Sequence, residues 1–393
     1  MRRTQRRGAA TRRLAWKLIS SACLVCAGPA GGEAVDAPRA GGKVEPARAE
    51  DLKQIYSPTP VTRAVDRGLE YLRQSQLADG SWFSSASGGR GVSLGKNTGV
   101  ISLAVLAMLS AGHEPGRGKY GETIERAVQF VLEQQWEGMI VKSREDSSHG
   151  PMYEHGISTL MLGQVIGMVK ESGTGLEKIH RRHRDAVNLI LRAQNLPRGD
   201  RPIDRFVLGG WRYYPGRPEA DISVTGWQIL ALRAARDAGM SIPQVNIDQA
   251  VLYVKRCMQA SGGFGYMPGP GQDPGIARTG TGILVLELCG EFQSPEAKRG
   301  GDWLLKRKLE WKGPFFYYSV YYANQAMYQL GGEYWEKWRP QSEEILLARQ
   351  SPDGSWPPPP DETQEREAGL VYTTAMAILS FTVDYKYLPI YQR

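Results

Sequence analysis

From Thr62 onward the apolar positions Val65, Gly68, Leu69 and Leu72 recur at helical spacing, with Arg63, Asp66, Arg67, Glu70 and Arg73 on the other side. That is the stripe of a half-buried helix. The stretch ends at Gln76-Leu-Ala-Asp-Gly-Ser-Trp82, and a glycine-serine loop leads to residues 98–109, TGVISLAVLAML, which carry no charge. A helix apolar all round must be covered on every side. This alternation returns five times. Charged amphipathic segments at 122–135, 183–194, 246–260, 296–308 and 340–350 are each followed by a turn of glycine with an aromatic or methionine. Nearly uncharged segments then follow at 156–169, 222–235, 279–289, 318–330 and 369–383. The clearest copy is 209–235, GGWRYYPGRPEADISVTGWQILALRAA.

Recurrence at a fixed interval separates a repeat from coincidence. Gln76 to Gln135 is 59 residues, Gln135 to Gln194 is 59, and Gln194 to Gln259 is 65. An open stack of such units exposes its ends and usually carries polar caps, which neither end of this chain shows. Closing the stack into a ring removes both ends. The sequence therefore predicts an all-α (α/α)6 toroid over residues 61–393: a single domain of six helix-pair repeats, with six uncharged helices inside and six amphipathic helices outside.

Two of the turns carry a more specific signal. Gln76-xxx-Gly80-x-Trp82 and Gln350-xxx-Gly354-x-Trp356 have the spacing of the QW motif, so the chain resembles the squalene cyclase and prenyltransferase repeat family over residues 60–390, with four degenerate copies between. That resemblance implies terpenoid chemistry through an Asp-x-Asp-Asp acid, or prenyl transfer through zinc held by Asp, Cys and His. The loop 218–225, PEADISVT, supplies only Glu219 and Asp221 where the acid motif would fall, and Cys289 lies at the wrong helix end for zinc. No metal or other cofactor is expected. The thioester motif of complement-like toroids is also incomplete, since Cys289-Gly290-Glu291 is followed by Phe292 and Gln293 comes one position late.

Charge and the N-terminus change the picture in one respect. The net charge is +8, but Arg2, Arg3, Arg6, Arg7, Arg12, Arg13 and Lys17 precede the first acid, Glu33, and the remainder is nearly neutral. With no basic stripe there, nucleic acid is not an expected partner. Residues 1–30 read as an export signal: a basic start, a short apolar run at 18–27 and small residues near Ala30. The stretch 11–17, TRRLAWK, resembles the bacterial twin-arginine signal. A run this short does not span a bilayer, so membrane contact is expected only through that signal, and the mature chain is expected in the periplasm, at the cell surface or outside. Residues 31–60, rich in Ala, Gly and Pro, read as a disordered linker. Of the four cysteines, Cys257 and Cys289 remain in the mature chain and are expected as buried thiols. Nothing in the sequence sets an oligomeric state.

In a ring of antiparallel pairs, all inner helices begin at one end, so the residues before them converge on one mouth. These are Asn97, Glu154, His155, Asp221, Arg278, Tyr318, Tyr321, Glu367 and Tyr372. Six helix N-termini there favour an anion or partial negative charge. If the site is catalytic, Asp221 is the expected acid, with Glu154 and His155 as acid-base partners and Arg278 orienting an anionic group. Aromatics crowd two units, Trp211 and Tyr214 in one and Tyr318 and Tyr321 in the other, enough to line an apolar cavity. His180 and His183 read as a solvated face. Asn97, Asp221 and Thr279 are also of the residue types preferred as helix caps. Three readings stay open: a non-catalytic protein binding a small apolar, anionic or saccharide ligand in its central cavity, a divergent terpenoid or prenyl enzyme, and a polysaccharide-active (α/α)6 enzyme.

Overall fold

A computed structural model describes residues 58–83, 96–141, 150–169, 174–197, 199 and 203–392. The expected leader and all but the end of the expected linker lie outside them. The described residues belong to one compact unit, Ser57–Arg393. Its first helix, α1 (Pro60–Gln74), opens where Thr59 Oγ1 accepts the Thr62 N–H at 3.1 Å and proline fills the first helical position, a combination suited to a helix start. Then come α2 (Thr98–Ser110), α3 (Gly121–Glu133), α4 (Pro151–Met168), α5 (Thr174–Ala193), α6 (Ile222–Asp237), α7 (Gln244–Arg256), α8 (Ile276–Leu288), α9 (Pro295–Leu305), α10 (Phe316–Leu330), α11 (Gly332–Leu347), a short α12 (Gln364–Ala368) and α13 (Leu370–Phe381).

The uncharged helices form the inner wall. Packing runs from α2 to α4, α6, α8, α10 and α13, and from α13 back to α2, so the ring is closed. Every residue of α2 is buried, the burial that its lack of charge requires. The amphipathic helices lie outside, most of them on the inner helix before them in the chain, and α1 packs on α13 and meets α11. First and last repeats therefore share one seam.

At four of the turns, those of Gln76, Gln135, Gln194 and Gln350, glutamine holds the turn to the next outer helix. Gln76 Nε2 donates to Gly80 O at 3.0 Å and to Thr123 O of α3 at 2.8 Å. Gln194 does the same with Gly209 O and Asn246 O of α7. At the seam Gln350 Nε2 reaches Gly354 O at 3.0 Å and Ala64 O of α1 at 2.8 Å. The tryptophan ties the turn to the helix before it: Trp82, Trp211 and Trp356 donate to Leu72 O, Ile190 O and Leu346 O. Gly354 has φ +92, and a Cβ there would overlap the Arg67 carbonyl oxygen of α1. Only glycine combines that conformation with that approach.

Several boundaries differ from expectation. Helix α4 begins at Pro151 rather than 156, and α5 at Thr174 rather than 183, because its first half is too charged to show an apolar stripe. Helix α11 covers Gly332–Leu347 rather than 340–350 and carries Pro340 inside it. The turn at Trp136–Met139 is a two-residue hairpin joining β1 (Gln135–Trp136) to β2 (Met139–Ile140), with positive φ at Glu137 and Gly138, as a twist-matched tight turn requires. His183, expected on a solvated face, is buried against Gly163 of α4, and burial holds it neutral by lowering its pKa to about 4. Cys257 is a buried free thiol and Cys289 a half-buried one. No helix among the described residues is long and apolar enough to cross a membrane.

The end opposite the inner N-termini is occupied by the C-terminal segment. Residues Pro389–Tyr391 form a single 3-10 turn packed on α4 and α6. The Ile390 N–H donates to Gln164 Oε1 at 3.2 Å, and Tyr391 OH lies 3.1 Å from Tyr321 OH of α10. Trp227 stacks on Tyr321 with centroids 5.8 Å apart, and Trp227, Tyr321 and Tyr322 are all buried. The expected central cavity is thus packed with aromatics below the first turn of the inner helices.

Candidate functional site

First turns of inner helices meet first turns: Glu154 of α4 accepts the Thr98 N–H of α2 at 2.9 Å, and Trp227 Nε1 of α6 donates to Tyr318 OH of α10 at 3.2 Å. The inner N-termini therefore lie together at one end of the barrel. The residues of this mouth divide into those that build it and those that face it.

Asn97 is a cap, accepting the Val100 N–H at 3.0 Å. Glu154 is buried and spends Oε2 on the Thr98 N–H and hydroxyl, stapling α4 to α2. His155 points outward: Nδ1 accepts the Ile140 N–H of the hairpin at 3.1 Å and Nε2 lies 3.2 Å from Ala186 O of α5. Burial lowers its pKa to about 4 and keeps it neutral. Glu154 and His155 therefore do not serve the mouth as the expected acid-base pair, because neighbouring elements already occupy both. Trp211 is a fully buried turn residue, Tyr214 is exposed, and Tyr321 lies one turn below in the aromatic packing. Arg278 stands half-exposed on the first turn of α8 with no hydrogen-bond or ionic partner among the described residues. Glu367 is exposed, whereas Glu365, two residues earlier, is buried.

Asp221 anchors the polar side of the mouth. Its Oδ1 accepts the Ser223 and Val224 N–H groups at 2.9 Å and caps α6, and its Oδ2 accepts Arg212 Nη1 at 3.0 Å. Burial raises its pKa to about 6, against the pull of those N–H groups and of Arg212. Both oxygens are engaged, so Asp221 is a holder of Arg212 rather than a free acid. Arg212 Nη1 also donates to Tyr266 OH at 3.0 Å, Tyr266 OH lies 2.6 Å from Tyr213 OH, and the guanidinium sits 4.1 Å above the Tyr213 ring. Tyr153, on the first turn of α4, lies 6.1 Å from Tyr213.

Around the rim, Tyr318 and Tyr372 bring further phenols from α10 and α13, and burial raises the pKa of both, so they stay protonated. The left-handed Phe315 before α10 gives that helix no side-chain cap. Remote carboxylates replace it: Glu362 Oε2 accepts the Phe315 N–H at 3.0 Å and Glu365 Oε1 the Tyr318 N–H at 3.1 Å. Such acids suit a helix N-terminus. Glu365 Oε2 has no hydrogen-bond partner among the described residues. Burial, with the Glu362 charge adding to it, pushes the Glu365 pKa up to about 8. Arg212, Tyr153, Tyr266 and Glu365 were not singled out from sequence, and no local pattern marks them. No three His, Cys, Asp or Glu side chains among the described residues gather for a metal ion. A surface cavity of about 310 Å³, lined by residues such as Glu137, Arg182 and Arg192, lies between the hairpin and α5.

A closed double barrel of six inner and six outer helices, with a polar mouth at the inner N-termini, defines an α/α toroid. The prenyltransferase alpha-alpha toroid domain matches residues 61–196 and 209–316, and the chain belongs to that family. Curated proteins give no significant sequence match. Solved structures similar to this chain include an inactive variant of an α-1,6-mannanase of Salegentibacter sp. bound to α-1,6-mannotriose, at 9% identity and TM-score 0.58, covering 81% of this chain and 99% of that one. A type II terpene cyclase of Scytonema, bound to its product merosterolic acid A, is similar at 14% identity and TM-score 0.54, covering 84% and 98%. At these identities the likeness is one of fold, and a fold hosts many chemistries.

Proposed function

We propose that the chain is an exported binding protein whose mouth takes a polar, polyhydroxylated ligand such as a short oligosaccharide. The observation that carries this reading is the linked set of donors at the mouth, Arg212, Tyr213 and Tyr266 held by Asp221, above a bore packed with Trp227, Tyr321 and Tyr391. Phenol rings with hydroxyls at their edge supply both flat apolar faces and hydrogen bonds, the combination a sugar presents in return. An isoprenoid needs an enclosed apolar cavity, commonly some hundreds of Å³, and the aromatics that would line it are instead packed on one another. The sequence holds no Asp-x-Asp-Asp acid, and the Asp221 oxygens are already committed, so binding is preferred to terpenoid or prenyl chemistry. That the structural neighbours include an oligosaccharide-bound mannanase makes α-1,6-mannotriose a sensible first probe.

The test is isothermal titration of the mature chain with an oligosaccharide panel, α-1,6-mannotriose first, and with geranylgeraniol. Saccharide binding that Tyr266→Phe weakens by about 5- to 30-fold, the worth of roughly one to two kcal/mol of hydrogen bonding, supports the reading. Binding of the isoprenoid alone removes it. Export rests on residues 1–30, and N-terminal sequencing of the periplasmic or secreted fraction checks it: a leader still attached to a cytoplasmic protein contradicts it.

A further inference from the structure

The donor network leaves one buried titratable group of the mouth unused. Glu365 is 1% exposed and commits a single oxygen, Oε1, to the Tyr318 N–H. Its Oε2 has no partner among the described residues. Beside it in the same segment, buried Glu362 spends Oε2 on the Phe315 N–H and Oε1 on the N–H groups of Gln364 and Glu365 itself. Arg366, the nearest base in the sequence, turns away and donates to Glu362 O at 3.2 Å. The groups facing Glu365 are thus Glu362 from its own segment, the N–H groups of Phe316, Tyr317 and Tyr318 and the protonated phenol of Tyr317 from α10, and the protonated phenol of Tyr372 from α13.

An ionised carboxylate with one bare, dehydrated oxygen and a like charge beside it is expensive, and such a group keeps its proton instead. The neutral acid then has an O–H to give. Buried Asp221 offers a ligand nothing, because N–H groups and Arg212 fill both its oxygens.

We propose that Glu365 meets the ligand of the mouth as a hydrogen-bond donor through Oε2, so that the site selects an uncharged oxygen acceptor and releases it when Glu365 ionises. This inference rests on the mouth being a saccharide site. The sign is fixed by the chemistry: the donor exists below the pKa of Glu365, which burial and Glu362 place near 8, and vanishes above it. Affinity is reduced in proportion to the competent fraction. Arg212 and the raised tyrosines do not lose charge or protons over the same interval.

The experiment is titration of the mature chain with α-1,6-mannotriose and the oligosaccharide panel at about pH 6.5 and about pH 9.5, where the protonated fraction falls by about 30-fold and the dissociation constant should rise by the same factor. Glu365→Gln keeps an acceptor for the Tyr318 N–H and an N–H donor for the ligand, so its affinity should be the same at both values. Wild-type affinity that does not change, or that rises with pH, overturns the proposal. If no oligosaccharide binds, the saccharide reading falls by itself, and difference infrared spectroscopy of wild type against Glu365→Gln decides the rest. A protonated-carboxyl carbonyl band that disappears on titration near pH 8 keeps Glu365 as the donor. Its absence removes it.

Discussion

Glu365→Gln should make the stability of this protein less sensitive to pH, and by an amount the structure sets. In the native state burial and Glu362 raise the carboxyl from its ordinary 4.5 to about 8, so the folded chain holds a proton that the unfolded chain has released. Between those values the native state binds more protons than the unfolded one, and stability must fall as pH rises. The loss is absent below about 4.5, complete above about 8, and worth at most about 1.4 kcal/mol per pH unit, or about 3–5 kcal/mol in all. Glutamine has the same shape, accepts the same Tyr318 N–H and cannot ionise. The variant should therefore match wild type near pH 4.5 and exceed it by that amount above pH 8, roughly 6–10 °C in Tm for a domain of this size. Calorimetry at both ends of the range, with urea unfolding as a second probe, measures the difference between the two proteins and cancels every other titrating group. A wild-type-to-variant gap that is the same at both ends would refute a protonated Glu365.

Other consequences concern the seam and the polar network. Gln350→Ala removes the seam hydrogen bonds to Ala64 O and from Arg67 of α1, together with the turn bond to Gly354 O, and should cost about 1–3 kcal/mol. Hydrogen exchange should then quicken in α1, at the far end of the sequence, and unchanged exchange at 60–74 would contradict a closed ring. Gly354→Ala should cost about 2 kcal/mol or more, since a Cβ meets the Arg67 carbonyl at positive φ, whereas Gly216→Ala, at φ +75 with no neighbour near, should cost only its backbone strain, about 1 kcal/mol. Equal costs would remove the close-approach argument. Asp221→Asn keeps a good helix cap but discharges the partner of Arg212. The fold should survive, as circular dichroism will report, while saccharide affinity falls about tenfold or more; unchanged affinity would detach Arg212 from the ligand.

The architecture was legible because one physical rule writes it: a segment without charge must be walled in, and six such segments can wall one another only in a ring. The start of α5 was hidden because its first turns are nearly all polar, and Pro340 obscured α11 by sitting where a boundary is usual. The site was far less legible, for a geometric reason. Successive helical residues turn by about 100°, so Tyr153 faces the mouth, Glu154 reaches α2 and His155 reaches the hairpin and α5. Spacing along the chain places all three at one helix start but does not say which way each points. Glu365 and Glu367 differ for the same reason, since residues two apart lie on opposite sides of a helix. The sequence does not mark Arg212, because its importance comes from Tyr266, 54 positions away.

The most direct test of the central claim, a donor-lined mouth above a filled bore, is a crystal structure of the protein grown with α-1,6-mannotriose. The sugar should lie at the inner N-termini, stacked on Tyr153 or Tyr213, bonded to Tyr266 and Glu365, with Tyr391 still against Tyr321. A ligand found inside the barrel with the C-terminal turn displaced, or bound only in the surface cavity beside Arg182, would contradict it.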